Sequence, residues 1–162
     1  MFSETTIVVC HRPPQRRPVA HRPDGGNVIA ELNNGTLTAK YLRGMNLISR
    51  TDSSRTTYYL FNAHGDVVDL ANSSGSSVKS YDYDAFGNEK SPSASDRNPF
   101  RYCGEYYDEL TKNTYLRARY YRPSAGRFFQ EDPAKDGGNW YAYCYSDPVN
   151  FVDPSGKIRE GQ

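Results

Sequence analysis

Two arginines and a handful of aspartates in the last third of the sequence hold most of the chemistry available to this chain. Arg117 and Arg119 lie in residues 114–121, where alternation predicts one strand. Leu116, Ala118 and Tyr120 would share one face, and Tyr115, Arg117, Arg119 and Tyr121 the other. Two guanidiniums on one face need facing carboxylates, and Glu131, Asp132, Asp136, Asp147 and Asp153 are available. Asp132, Asp147 and Asp153 each precede proline, which is ordinary turn chemistry. Residue types alone therefore favour a structural Arg–Asp network that holds irregular loops in place.

Other chemistry is weaker. Asp82, Asp84 and Glu89 surround Gly87 at an offset that suits a calcium loop, but Phe86 takes a ligand position and Ser93 stands where the closing glutamate belongs. These carboxylates read instead as solvated turn groups. Cys10, Cys103 and Cys144 are odd in number and widely spaced, which argues against a disulfide framework and against a zinc site. Buried free thiols are the expectation, with a Cys103–Cys144 pair as the alternative. No metal and no cofactor is expected.

The elements that must position these residues are short strands. Residues 26–35 run into 36–42, and 65–75 run into 76–83; each is a strand, a turn of Asn, Ser and Gly, and a returning strand, with Asn34-Gly35 a strong hairpin signal. Residues 46–50 and 56–61, joined through 51–54, form another. Tyr-Leu-Phe-Asn-Ala-His-Gly-Asp at 59–66 matches Tyr-Asp-Tyr-Asp-Ala-Phe-Gly-Asn at 81–88, so one hairpin recurs about every twenty residues. A lone hairpin is marginal in water, and stacking is what buries its apolar face. Beyond a polar connector at 91–99, residues 100–107 and 114–121 read as a strand pair turned through 108–113, and 141–145 as one helical turn.

The apolar fraction is 36% and the aromatic fraction 14%, and 13 of the 22 aromatic residues fall between Phe100 and Tyr145. The C-terminal part should be the better-packed half. The formal charge of +1 gives no basic field for nucleic acid, and no run is long and apolar enough to span a membrane. No targeting signal is visible. Residues 10–23 carry four Arg and four Pro, which predicts a disordered tail over 1–24 without a packed strand or helix.

Four segments then stand out together: Tyr-Leu-Arg-Ala-Arg-Tyr-Tyr at 115–121, Gly-Arg-Phe-Phe-Gln-Glu-Asp-Pro at 126–133, Asn-Trp-Tyr-Ala-Tyr at 139–143 and Asp-Pro-Ser-Gly at 153–156. In this order they resemble the RHS repeat-associated core, and Tyr-Asp-Tyr-Asp-Ala-Phe-Gly-Asn at 81–88 resembles the YD repeat. The resemblance implies a hollow β shell closed by the core, followed by a toxin domain. It also implies an aspartic-protease-like site that cuts just after Asp-Pro-x-Gly. By position the aspartates are Asp132 and Asp153, the arginine is Arg119 with Arg117 as the alternative, and the cut falls between Lys157 and Ile158. Cleaving members carry Leu or Met where this chain has Lys157, only five residues follow that bond here, and about three hairpins are too few to enclose a cavity.

The expectation is therefore an all-β chain of stacked antiparallel hairpins with an aromatic-rich C-terminal core segment. The tail covers 1–24, YD-repeat-like hairpins 25–98, the core 99–157 and a residual tail 158–162. Its function would be that of a truncated toxin-encapsulating RHS shell with a vestigial self-cleavage site. A live autoprotease is the alternative, and a cell-surface adhesin or carbohydrate-binding repeat the second. Partners would be the remaining shell or a C-terminal toxin, with self-association through an exposed sheet edge. The resemblance implies a secreted or cell-surface location.

Overall fold

The computed structural model describes residues 27–135, 137–157 and 159–161, together with the backbone of the strands Val8–Val9 (β1) and Val19–His21 (β2). The chain is all-β. After β1 and β2 come β3 (Val28–Asn33), β4 (Thr36–Arg43), β5 (Leu47–Asp52), β6 (Thr56–Phe61), β7 (Val67–Ala71) and β8 (Ser77–Ser80). These eight form one sheet in strict chain order. A four-stranded sheet follows, ordered β12 (Arg127–Phe128), β11 (Arg119–Arg122), β10 (Asn113–Leu116) and β9 (Tyr106–Asp108). A last pair joins β13 (Phe151–Val152) to β14 (Glu160–Gly161). Helical structure among the described residues is limited to single 3-10 turns at Tyr102–Gly104, Pro123–Ala125 and Cys144–Ser146.

The hairpins read from the sequence are present. Asn34 and Gly35 both take positive φ, and Asn33 pairs with Thr36 across the tight turn between β3 and β4. β2 pairs with β3 through Val19–Glu31 and Ala20–Ala30, so a strand does form where the proline-rich composition predicts none. Pro18 and Pro23 flank that strand rather than interrupt it. The rest of residues 1–24, including Cys10, lies outside the described residues.

Two compact units divide the chain: Met1–Tyr59 with Leu70–Val78, and Leu60–Asp69 with Lys79–Gln162. In the first, a polar cluster lies beside the buried Val28, Ala39, Leu47 and Leu70. Glu31 on β3 is buried, takes the Tyr41 hydroxyl from β4, and meets the Arg50 guanidinium of β5 at 3.2 Å; Arg50 also reaches Asp52 at 2.5 Å. In the second unit, Tyr102, Leu116, Tyr121, Phe128, Tyr143 and Cys144 form a continuous core, with Tyr83, Cys103 and Phe151 packed on it. The Tyr121 and Tyr143 rings lie 4.1 Å apart. The aromatic density of the C-terminal part is thus a core, as its composition suggests.

One five-residue turn recurs through the fold. In 62–66, 72–76 and 84–88 the first residue is Asn or Asp, and its backbone N–H donates to the carbonyl of the fifth residue. Its own carbonyl accepts from the fourth, a glycine of positive φ. Its side-chain oxygen accepts from the backbone N–H of the fifth residue at 2.9–3.0 Å. Asn and Asp can supply that side-chain acceptor locally, and glycine supplies the left-handed backbone without a Cβ penalty. Asp84 is therefore a turn residue. The other carboxylates weighed for calcium are matched by cations: Asp82 meets Lys90 at 3.0 Å, and Glu89, buried rather than solvated, meets Arg101 at 2.9 Å.

Helix and strand signals fail at two places. Residues 114–121 are not one strand: the chain reverses at Arg117-Ala118, so β10 and β11 are a hairpin in which Leu116 faces Arg119 and Thr114 faces Tyr121. Arg117 takes φ 60° at the reversal, a conformation no residue type there advertises. Cys144, Tyr145 and Ser146 form the expected turn near 141–145, but with φ of 49°, 51° and 66° it is left-handed.

The Gly87 turn is the tightest of the repeated set. A Cβ there would sit 2.4 Å from the Tyr102 ring at φ +85°, whereas one at Gly75 (φ +81°) meets nothing within 4 Å. Gly75→Ala should cost about 1–2 kcal/mol through backbone strain alone. Gly87→Ala should cost roughly 2–4 kcal/mol, because overpacking against Tyr102 is added. Urea denaturation of the two variants checks the order; equal costs would mean that Tyr102 yields freely.

Candidate functional site

The Arg117-Ala118 reversal places Arg119 at the start of β11, beside the core. Its side chain is buried, at 4% exposure, and its Cζ lies 3.6 Å from the centre of the Phe128 ring on the neighbouring β12. Every branch of the guanidinium has an oxygen partner. Nε donates to the Gly156 carbonyl at 2.5 Å and Nη1 to the Trp140 carbonyl at 3.1 Å. Nη2 meets Asp153 Oδ2 at 3.5 Å and Asp132 Oδ2 at 3.7 Å. Both aspartates are themselves buried, at 8% exposure for Asp132 and 3% for Asp153. A buried guanidinium is tolerated only when its charge and its donors are matched, and here two carboxylates and two carbonyls do that.

Each aspartate is held by a close variant of the turn already met in the repeats. Asp153 Oδ1 accepts from the Lys157 N–H at 3.1 Å and from the Ser155 hydroxyl at 3.0 Å, while its carbonyl accepts from Gly156 N at 3.4 Å, with Gly156 at φ +67°. Asp132 Oδ1 accepts from Ala134 N at 2.8 Å, and its carbonyl from Lys135 N at 3.0 Å, with Lys135 at φ 53° in the glycine's place. In both, one carboxylate oxygen shapes the loop and the other faces Arg119. The Trp140 carbonyl joins the parts, since it accepts from Asp132 N at 2.9 Å as well as from Arg119.

The 153–157 turn is pressed against the hairpin. Ala118 N donates to the Ser155 carbonyl at 3.2 Å, and a Cβ at Gly156 would fall 2.3 Å from the Leu116 carbonyl oxygen. Only glycine allows this approach, which is what brings the Gly156 carbonyl to Arg119. Burial pushes the Asp153 carboxyl up from its ordinary value, against the opposing pull of the Ser155 and Lys157 hydrogen bonds and of Arg119. The arrangement offers two acidic groups in unequal surroundings around one fixed cation.

Of the residues singled out from the sequence, Arg119, Asp132 and Asp153 come together. Arg117 does not join them: it meets Glu105 at 2.9 Å and the Pro154 carbonyl. It shares no strand face with Arg119, because the chain turns between them. Glu131 accepts from the Tyr141 hydroxyl and Asp147 from the Asn150 amide. Lys157 is exposed and follows the Gly156 carbonyl; Asp136 and Ile158 lie outside the described residues. Phe128 and the carbonyls of Trp140 and Gly156 were not legible beforehand. A backbone carbonyl carries no side-chain signature, and only the Gly-Arg-Phe motif marked Phe128. Cys103 and Cys144 are both free thiols, so the alternative of a pair between them does not hold.

The Teneurin YD-shell family model matches residues 28–140. Among curated proteins, the tRNA nuclease WapA of Bacillus subtilis (strain 168) is 41% identical over 164 residues, covering 81% of this chain and 7% of WapA. Toxin protein Tse5 of Pseudomonas aeruginosa is 42% identical over 79 residues, covering 48% of this chain and 6% of Tse5. The crystal structure of TcdB2-TccC3-Cdc42 superposes with a TM-score of 0.69 at 24% identity, over 87% of this chain and 8% of that one. A Photorhabdus luminescens Tc holotoxin pore does so with a TM-score of 0.69 at 23% identity, over 89% and 8%. The chain thus spans under a tenth of the length of these relatives, and the structural likeness establishes the fold.

The raised pKa of Asp153 has a definite sign in stability. The folded state binds this proton more readily than the unfolded chain, so the contribution is complete below the ordinary value of 3.8 and is lost as pH rises through the raised folded pKa. Asp153→Asn should keep the turn, because Asn62 and Asn72 hold the same turn elsewhere. The melting temperature of wild type should therefore fall relative to that of Asp153→Asn between pH 4 and pH 7. Parallel melting curves across that range would show that Asp153 carries no such shift.

Proposed function

The chain belongs to the YD-shell family of RHS repeat proteins, and we infer that it is the closing segment of a toxin-encapsulating RHS shell that carries the shell's self-cleavage site. The observation that carries the inference is the buried Arg119 guanidinium, which gathers Asp132, Asp153 and the Gly156 carbonyl at one point. That carbonyl lies one residue before the Lys157–Ile158 bond. The relatives named as a tRNA nuclease and as a toxin fit a shell whose chain continues into a toxic domain. The sheet of the first unit leaves Leu37, Leu42, Ile48 and Tyr58 exposed, which suits a segment that further shell strands would cover.

The chemistry follows from the two carboxyls gathered at Arg119. Two buried acids near one another share a proton more easily than they hold two charges. Asp153, raised by burial, is the proton carrier, and Asp132 the base that activates a water for attack on the Lys157 carbonyl. The tetrahedral oxyanion takes the Asp153 proton, and collapse of the intermediate passes a proton to the leaving nitrogen of Ile158. Arg119 fixes both carboxylates and anchors the backbone just before the bond, so the reacting groups need no ordering at the moment of reaction. Lys157 is exposed, and a solvated side chain at this position does not need the apolar subsite that Leu or Met would fill.

Intact-mass spectrometry of freshly expressed protein tests this. Wild type should end at Lys157, and Asp132→Asn and Asp153→Asn should each retain Ile158–Gln162. Loss of a general acid or base typically slows a reaction about 100-fold or more, so the variants should stay whole over the time in which wild type is cut. Full-length wild type with a folded circular-dichroism spectrum would remove the protease and leave a purely structural Arg–Asp cluster, the scaffold remnant.

A further inference from the structure

Away from the Arg119 cluster, His64, Asp66 and Cys103 bring their ligating atoms within 4.8 Å of one another. His64 Nδ1 lies 2.9 Å from Asp66 Oδ1 and 3.9 Å from Cys103 Sγ. We propose that these three side chains form a binding site for a late first-row divalent cation, Zn²⁺ foremost, with the fourth position left to water or to a ligand.

The surroundings of the three residues have the form of an outer coordination shell. The remote ring nitrogen of His64, Nε2, donates to the Pro148 carbonyl at 2.8 Å, which points Nδ1 at Asp66 and Cys103. Ligating histidines are generally oriented in this way, by a carbonyl or carboxylate on the other nitrogen. The second oxygen of Asp66 accepts from the Asn62 amide at 2.9 Å, so its first oxygen is fixed toward the cluster. Tyr143 OH lies 3.7 Å from Cys103 Sγ, where it can donate to a thiolate. Each ligand thus has its own orienting partner, and no two share one.

The backbone is built for the same approach. His64 and Asp66 sit on the repeated turn whose Gly65 has φ +87°, and Cys103 is held at φ 51° with its N–H donated to Asp66 Oδ1 at 2.8 Å. Metal–ligand bonds of about 2.0–2.3 Å place tetrahedral ligand atoms roughly 3.3–3.6 Å apart, so His64 Nδ1 and Asp66 Oδ1, now 2.9 Å apart, would open slightly while Cys103 Sγ, 3.9 Å from Nδ1, draws in. One thiolate, one imidazole and one carboxylate suit zinc, cobalt or nickel. Magnesium and calcium ask for oxygen ligands throughout. Entry of the cation releases the Cys103 thiol proton, and the proton between His64 and Asp66 when His64 is charged. Counting cysteines misses such a site, because two of its three ligands are not cysteine.

Cobalt titration of the protein as purified, in a Cys10→Ser background that removes the N-terminal thiol, tests the proposal. One equivalent of Co²⁺ should give a sulfur-to-cobalt charge-transfer band together with visible tetrahedral absorption, displaced by Zn²⁺. Cys103→Ser should abolish the charge-transfer band, and His64→Gln should weaken binding at least tenfold. Absence of any band, or a band that survives Cys103→Ser, overturns the site and leaves an ion pair beside a buried thiol. Should Cys103→Ser fail to fold, X-ray absorption of the zinc-loaded Cys10→Ser protein decides: one sulfur in the first shell supports the site, and a shell of nitrogen and oxygen alone overturns it.

Discussion

The C-terminal unit depends on the burial of one positive charge. The Arg119 guanidinium lies against the Phe128 ring and inside the protein, where an unmatched charge would cost several kcal/mol. Two loops, 132–135 and 153–157, and the Trp140 carbonyl between them converge on it. None of these loops has a core of its own. Their places are set by what Arg119 must have around it, and in return each Arg119 nitrogen gains an oxygen partner. The carboxylates that satisfy the charge are the same groups that could exchange a proton, so the structural and chemical requirements fall on one cluster.

The second organising device is economical in parts. A five-residue turn begun by Asn or Asp, with a left-handed fourth residue, closes the hairpin repeats at 62–66, 72–76 and 84–88. The turns at 132 and 153 are variants of it with proline second. In the repeats at 62–66 and 84–88 the second side-chain atom bonds within the turn, Asn62 to Asp66 and Asp84 to Asn88. At Asp132 and Asp153 it faces Arg119, and at Asp66, which closes the first of these turns, one oxygen faces His64 and Cys103. A turn that exists for backbone reasons thereby delivers a carboxylate oxygen at a fixed position and direction.

Packing divides along the same lines. The first unit sets the Glu31, Tyr41 and Arg50 cluster beside a small aliphatic core of Val28, Ala39, Leu47 and Leu70, while the second has stacked tyrosines and phenylalanines. Aromatic rings suit a region of short strands and tight turns, because few residues must fill a large volume. The tyrosine hydroxyls reach carbonyls at the edge of the core: Tyr121 donates to Phe86 and Tyr102 to Ala85, both within the 84–88 turn. The repeat turn and the aromatic core are therefore one hydrogen-bonded assembly within the second unit.

Much of this was written in the sequence. Asn34-Gly35, the Asx-x-x-Gly repeats and the Tyr-rich alternating runs specify hairpins, since turn chemistry and period-2 alternation are local. Asp132, Asp153 and Arg119 were legible through their motifs. The sequence could not show that residues 114–121 turn back at Arg117, because no Gly or Asn marks the reversal. That conformation is held from outside, by Ser155 bonding to Ala118 and by Gly156 lying against the Leu116 carbonyl. Nor could it show that Arg117 and Arg119 leave the shared face, or bring Cys103 to the His64 turn across 39 residues of chain. Local propensities determined which hairpins exist. Which side chains share a buried space was decided only by the tertiary structure, because it follows from distant segments competing to satisfy the same charges and carbonyls.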